Sequence, residues 1–201
     1  AQRPVMQLAL FDFDHTVTTC DTYARFLRRV ATPAQLASAK WTVGPWLLGY
    51  RLKLVSAERI RRRVTAQVFP GRTPDEIEAH GVAFAREALP ALVRPEVMAR
   101  IGWHRQQGHD VVLVSGSLDA YLRPWCAQHG LALLCNTLEV RDGRLTGRYA
   151  ARDIGAHKAD EIRRHHDLSR YARIHAYGDS GEDRPMLALA HERWYRGVQV
   201  A

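Results

Sequence analysis

Two aspartates separated by one phenylalanine, Asp12 and Asp14, follow an apolar run at 8–11, and His15 and Thr16 complete the sequence DFDHT. Carboxylates at the mouth of an apolar strand repel each other and lose hydration, so the pair points to a cation, a proton held between them, or both. Phe13 intervenes, and a bend just after Asp12 is what lets both acids face one ligand. The segment is therefore expected to be a strand end feeding a loop.

Later segments supply what such a site needs. A β-branched apolar run at 111–114 closes on Ser115, Gly116 and Ser117, and the segment 174–177 closes on Gly178, Asp179, Ser180, Gly181, Glu182 and Asp183. Between them Lys158 stands alone at the start of a helical stretch. In an open parallel sheet the ligand lies beyond the carboxyl ends of the strands, where these three segments converge.

The elements that must position these residues follow from pattern and punctuation. A strand is predicted at 7–13, then a long helical stretch at 21–89 broken near 32–33, 44–45 and 70–74 by Pro and Gly. A helix at 95–107 leads through Gly108 into the strand at 111–114. A helix at 118–129, a strand at 131–135 and a hairpin follow, with 139–140 and 145–149 flanking the turn at 141–144. A helix at 157–166, the strand at 174–177, a short helix at 184–190 and a strand at 194–198 complete the chain. Strands alternating with helices mark an α/β core.

The chain has 201 residues, 46% of them hydrophobic, enough for one α/β domain with a smaller inserted unit. Cys20, Cys126 and Cys135 have no paired spacing, which argues against a disulfide framework or a zinc site and for a reducing compartment. The DFDHT motif comes too early to leave room for a signal peptide, and the longest apolar stretch, 41–50, is too short to span a bilayer, so a cytoplasmic location is expected. The net charge is +8. Basic residues concentrate at Arg51, Lys53, Arg59, Arg61, Arg62 and Arg63, beside Trp41, Trp46, Leu47, Leu48 and Tyr50. A solvated helix face accounts for this, and so does an anionic substrate or an anionic lipid surface. No nucleic-acid-binding signature accompanies the charge.

Taken in order, DFDHT, VLVSGS, Lys158 and YGDSGED resemble the haloacid dehalogenase superfamily, and within it the phosphoserine phosphatase-like subclass. The resemblance spans nearly the whole chain. It implies a Rossmann-like three-layer core with a parallel sheet, at 1–17 and 92–201, and an inserted helical cap of the C1 helix-bundle type at 18–91. It also implies a Mg²⁺-dependent phosphomonoester hydrolase. By resemblance Asp12 is the nucleophile that forms an aspartyl-phosphate. Asp14 is the general acid and base, its backbone carbonyl joining Asp12 and Asp179 around the metal. Ser115, the Gly116 N–H and Lys158 take the phosphoryl oxygens, Asp183 holds Lys158 or the metal waters, and Thr16 fixes the loop.

The substrate is less defined. Phosphoserine phosphatases carry Glu where this chain has Asp21, commonly Asn where it has Glu182, and SGG where it has SGS. The apolar and basic cap is similar to that of phosphatidylglycerophosphate phosphatases of the same subclass. The expected substrate is a phosphorylated small molecule or lipid, with peripheral membrane contact through the cap in the second case, and a phosphotransferase of the same superfamily is the further alternative. Asp21, Tyr23, Arg25 and a basic residue within 51–63 are the candidate substrate readers. A dehalogenase has no use for Asp14 or a metal site, and a silent binding module is not expected to keep Asp12, Asp14, Lys158 and Asp179 together.

Overall fold

The computed structural model describes residues 6–52 and 54–200; for Lys40 and Arg51 it describes the backbone alone. Lys53 and the Arg51 side chain, two members of the basic run, lie outside the described residues. The core sheet has the order β3-β2-β1-β6-β7-β8, formed by β1 (Gln7–Phe11), β2 (Asp110–Leu118), β3 (Ala132–Asn136), β6 (Arg173–Gly178), β7 (Glu192–Tyr195) and β8 (Val198–Val200). All pairs are parallel except β7 with β8. The chain leaves β1 toward β2 on one side, while β6 occupies the other. A crevice therefore opens at the carboxyl ends of β1 and β6.

Central strands of a parallel sheet are covered on both faces and read as continuous apolar runs. Leu8, Ala9, Leu10 and Phe11 are fully buried for this reason. Ala9, Phe11, Leu113 and Tyr177 belong to one apolar cluster, and Leu8, Leu10, Val112, Val114 and Ile174 to another. Helix α6 (Pro95–Gln106) packs against β2 on the α/β core, and α8 (Lys158–His165) and α9 (Arg184–Leu187) lie against each other.

Between β1 and β2 run α1 (Thr22–Val30), α2 (Pro33–Thr42), α3 (Gly44–Arg51), α4 (Ala57–Val68) and α5 (Pro74–Glu87). The helix starts are written in the sequence: Asp21, Thr32, Ser56 and Thr73 each cap a helix through a side-chain oxygen, Thr32 with a reciprocal bond from Gln35. The two chain passages joining the helices to the core run side by side: Thr18 pairs with Val93, Thr19 N–H donates to Leu92 O and Arg94 N–H to Val17 O, both at 2.8 Å. Helices α1 and α5 pack on α7 (Asp119–His129), with Tyr121 against Phe26 and Phe84 at ring separations of 5.0 and 5.2 Å. Gly81 of α5 meets Ala120 so closely that a Cβ there would lie 2.1 Å from the Ala120 carbonyl oxygen.

Several predicted elements differ. The first strand stops at Phe11, because 13–17 coil into a tight turn with His15 at φ 60°. The second strand continues to Leu118 with its register against β3 shifting between Ser115 and Leu118, a bulge that re-aims the SGS segment. The last predicted strand is a hairpin, β7 and β8, reversed at Arg196 and Gly197, both of positive φ. Helix α9 ends at Leu187. The predicted hairpin is present as β4 (Leu138–Arg141) and β5 (Arg144–Tyr149), turning on Asp142 and Gly143 at positive φ. Its β5 bonds to the segment after α4 through Gly71 N–H to Leu145 O and Leu145 N–H to Arg72 O.

Candidate active site

Asp12 follows β1 directly, its N–H donating to Tyr177 O at 2.9 Å, which ties the end of β1 to β6. One carboxyl oxygen, Oδ1, contacts the Lys158 ammonium, which reaches in from the first turn of α8. Lys158 also donates to Asp183 Oδ1 at 2.6 Å. Asp183 Oδ2 accepts the N–H groups of Asp179 and Ser180 at 3.0 and 2.9 Å and the Ser180 hydroxyl at 2.9 Å, so every face of that carboxylate is occupied. Gly178 is required beside it, because a Cβ there would stand 2.5 Å from Asp183 Cβ.

One buried lysine thus faces more acid than it can neutralise. Carboxylate oxygens of Asp12, Asp179 and Asp183 lie within 4.8 Å of one another. Burial pushes Asp12 up despite Lys158, and burial with the charge of Asp183 pushes Asp179 up. Lys158 is held above its ordinary value by the two acids against the effect of its own burial, and it stays protonated. Asp183 goes the other way: burial would raise it, but Lys158 and the surrounding N–H groups hold it below the usual range. Clustered oxygen donors with uncompensated charge fit a hard divalent cation such as Mg²⁺.

Asp14 is turned to a different set of partners. Its Oδ1 accepts from the Thr22 N–H at 2.6 Å and the Thr22 hydroxyl at 2.5 Å, and its Oδ2 from the Ser117 hydroxyl at 2.5 Å. Tyr121 OH stands 3.1 Å behind the Thr22 hydroxyl. Burial, then the charge of Asp21, raises Asp14, while the three donors oppose the rise. Asp21 itself is exposed and caps α1, accepting the Ala24 N–H at 2.8 Å.

Ser115 is buried with its Oγ accepting the Ser117 N–H at 3.0 Å, and Gly116 is fixed through its carbonyl, which accepts from Asn136 at 2.8 Å. Asn136 also donates to Asp153 at 3.0 Å and accepts the Ile154 N–H at 2.8 Å. Thr16 lies 3.5 Å from Asp179 Oδ1 and not on its own loop backbone as the sequence suggests. Thr18 holds that loop, donating to Cys20 O at 2.8 Å and Phe13 O at 3.2 Å.

Of the basic run, Arg61 is the residue brought to the site. Its Nε donates to Asp153 Oδ2 at 2.8 Å, and its two terminal nitrogens grip Glu182 at 2.9 and 3.0 Å. The guanidinium covers Gly116 and Gly155, at 3.3 and 2.6 Å from where a Cβ would stand on each. The inserted helices are thereby joined to the loop after β6. Tyr23 points to Thr65 and Tyr149 beneath this contact, and Arg25 is exposed. Beside Asp179 a cavity of about 570 Å³ is lined by Arg94, Arg100, Trp194 and Arg196 among others.

Sequence reasoning gave no site role to Thr22, Ser117, Asn136 or Asp153, and it named Arg61 in the basic run but as a substrate reader only within a range. Ser117 and Thr22 stand next to residues already singled out, so their hydroxyls were the available signal. Asn136 closes an apolar strand and Asp153 precedes Lys158 by five residues, a weaker cue.

The sequence pattern that defines the haloacid dehalogenase-like hydrolases matches residues 9–188. The chain belongs to that family. It is 33% identical over 197 residues to Protein CicA of Caulobacter vibrioides, covering 94% of this chain and 85% of CicA. In fold this haloacid dehalogenase-like hydrolase is similar to a protein of unknown function from Bordetella pertussis Tohama I, with TM-score 0.79, 24% identity and coverage of 94% of this chain and 89% of that one. It is also similar to substrate-bound phosphoserine phosphatase, with TM-score 0.68, 19% identity and coverage of 94% and 85%. Among the described residues no helix is long and apolar enough to cross a membrane.

Proposed function

We propose that this hydrolase is a Mg²⁺-dependent phosphomonoester phosphatase that works through an aspartyl-phosphate on Asp12. The observation that carries the reading is the buried Lys158 bridging Asp12 and Asp183 with Asp179 alongside. Asp12 and Asp179, with the Asp14 carbonyl, would hold Mg²⁺. When bound, the ion offsets the repulsion between the phosphate and the carboxylates. Lys158 opposes the effect of burial on Asp12 and orients it through Oδ1, leaving its other oxygen to attack phosphorus. As the phosphorus–oxygen bond to the leaving group breaks, Asp14 gives that oxygen its proton. Water then attacks the phosphorus of the acyl phosphate and passes its proton to Asp14, which restores the Asp12 carboxylate. Ser115, the Gly116 N–H and Lys158 take the developing charge on the phosphoryl oxygens.

The inserted helices serve as the cap domain, closing over Gly116 through Arg61 and excluding water from the first step. Inorganic phosphate release from a panel of phosphomonoesters, with Mg²⁺ or EDTA, tests the reading. Mg²⁺-dependent turnover absent from Asp12→Asn is expected. An active Asp12→Asn variant overturns it, and transfer to an added alcohol in place of water identifies a phosphotransferase.

A second reading, a lipid-linked phosphomonoester met at a membrane surface, is favoured by one feature. Trp41, Leu48, Leu52 and Leu54 are 84, 58, 61 and 75% exposed, and Arg59, Arg62 and Arg63 are exposed close by in sequence. Apolar side chains beside basic ones suit an anionic bilayer. Co-sedimentation with anionic vesicles at low salt tests it; no binding removes this reading and leaves the soluble substrate.

A further inference from the structure

At the opposite end of the sheet from the catalytic loops, three histidines from different elements meet. His104 lies in α6, His109 just before β2, and His175 in β6 four residues before Asp179, about 13 Å away along an extended strand. One ring nitrogen of each lies within 4.8 Å of one from each of the others. His104 and His175 are buried and His109 is half-buried.

The orientation of the rings is more informative than their proximity. His104 Nε2 is held by Tyr177 OH at 2.9 Å and His175 Nε2 by Gln7 Oε1 at 2.9 Å. Metal-ligating imidazoles are typically fixed in this way through the nitrogen that does not bind the ion. The remaining nitrogens are poorly served. His104 Nδ1 and His109 Nδ1 face each other at 2.8 Å and can share only one proton. His175 Nδ1 is buried and, among the described residues, has no hydrogen bond of good geometry, although Glu192 Oε2 stands 3.3 Å away. With the Nε2 proton donated to Gln7, that Nδ1 is a lone pair opposed to a carboxylate, an arrangement a cation relieves. Burial pushes all three imidazoles down, His104 to about 3, and the neutral ring is the form that ligates. The charge of Arg173 beside the cluster is already met by Glu192 Oε1 at 2.5 Å.

We propose that His104, His109 and His175, completed by Glu192, form a second, non-catalytic site for a Zn²⁺-type divalent cation. Imidazole ligands select such late first-row ions, whereas the all-oxygen catalytic cluster suits Mg²⁺. Zinc–nitrogen bonds of about 2.0–2.1 Å in tetrahedral geometry require ligand nitrogens about 3.3 Å apart, so the His104–His109 contact opens by about half an ångström. Its shared proton moves to Nε2 of whichever ring carries it, toward Tyr177 OH or toward solvent, and no net proton is released. An open cleft lined by Gln7, Trp103, His109, His175 and Glu192 gives the ion a way in. Bound there, it ties α6, β2, β6 and β7 together at the base of the sheet.

The test is titration of chelator-treated protein with Co²⁺, followed by d–d absorption and by calorimetry. The Asp179→Asn variant is titrated in parallel to silence the carboxylate cluster. One Co²⁺ per chain with the intense visible bands of a tetrahedral site is expected in both proteins, displaced by Zn²⁺ and not by Mg²⁺. A loss of affinity of at least about tenfold is expected in His109→Ala and in Glu192→Gln, each checked by circular dichroism for folding. Absence of such a Co²⁺ complex in the wild type, its loss in Asp179→Asn alone, or its survival in a folded His109→Ala overturns the proposal, leaving a hydrogen-bonded histidine cluster only.

Discussion

Replacing Lys158 by Met keeps the buried aliphatic stem and deletes only the ammonium. The side chain is 3% exposed and its nitrogen touches Asp12 while lying 2.6 Å from Asp183, whose side chain has no exposure at all. Breaking a buried ion pair by removing one partner costs about 3–5 kcal/mol, because the other charge stays buried and unpaired. Here two carboxylates lose their counter-charge, so the upper part of that range is expected in urea unfolding at pH 7.5 with chelator present. The pH dependence carries the sign. In the wild type Asp183 lies below its unfolded value, so its contribution is complete above about pH 4 and disappears as pH falls through the folded value. Without Lys158 the burial that raises Asp12 loses its main opponent, while Asp183 keeps only the donors of residues 179 and 180. The folded value of Asp12 then lies still further above the unfolded one, and the variant recovers stability between pH 7.5 and 5. Adding Asp183→Asn to Lys158→Met restores part of the loss at pH 7.5, giving a coupling energy above about 1 kcal/mol. A loss below about 1 kcal/mol, or a variant that weakens steadily toward pH 5, refutes the charge argument.

Two glycines predict opposite outcomes for one substitution. Gly81→Ala drives a Cβ to within 2.1 Å of Ala120 O and forces α5 off α7, costing about 1–3 kcal/mol in thermal or urea unfolding. Gly102→Ala, in α6 with nothing within 4 Å of the added carbon, stabilises by about 0.4–1 kcal/mol. Ser117→Ala removes the 2.5 Å donor to Asp14 Oδ2, and losing a bond to the charged form raises the acid further, so the alkaline limb of the kcat/KM profile moves up by about one pH unit. In chelated protein, burial and the neighbouring His175, His109 and Arg100 hold His104 at about 3. The unfolded chain takes up its proton near pH 6.5, so stability present above that pH is lost on acidification, by about 2 kcal/mol at pH 5, and His104→Gln removes this part of the slope.

The clustered acids were legible because they sit where apolar strands end, and local pattern marks strand ends. The strands at β1, β2 and β6 were legible for the same reason. The first turn after β1 was not, since nothing in DFDHT announces that His15 adopts a positive φ and ends the strand at Phe11. The β7–β8 hairpin was missed because Arg196, not a glycine, supplies the first positive φ of its turn. Long-range polar partners were the least accessible. Arg61 meets Glu182 across 121 residues, and Ser117 meets Asp14 across 103. No periodicity encodes such pairings, which exist only once the sheet order and the packing of α1 and α5 on α7 are fixed. The histidine cluster is hidden for the same reason, since His175 reads as one polar residue within a buried strand.

The overall charge of +8 gives a misleading picture of the site. Around the acids, Lys158 and Arg61 stand among Asp12, Asp153, Asp179, Glu182 and Asp183, and Arg94, Arg100 and Arg196 line the cavity beside Asp179. Arg61 is satisfied by Asp153 and Glu182 at once, so it brings no free positive charge to an incoming phosphate. A carboxylate at Glu182 is the difference from the Asn common in phosphoserine phosphatases. It fastens the inserted helices to the core and occupies both terminal nitrogens of Arg61. On the proposed reading, a phosphate dianion would meet the acids with Arg94, Arg100 and Arg196 beside Asp179, and a bound cation and a proton on Asp14 would lower the repulsion that remains. Burial moves Asp14 toward its protonated form, and the oxygen cluster around Asp12 and Asp179 fits a divalent cation. The exposed Arg59, Arg62 and Arg63 of the insertion, by contrast, add to the long-range field of the protein without being tied to these acids.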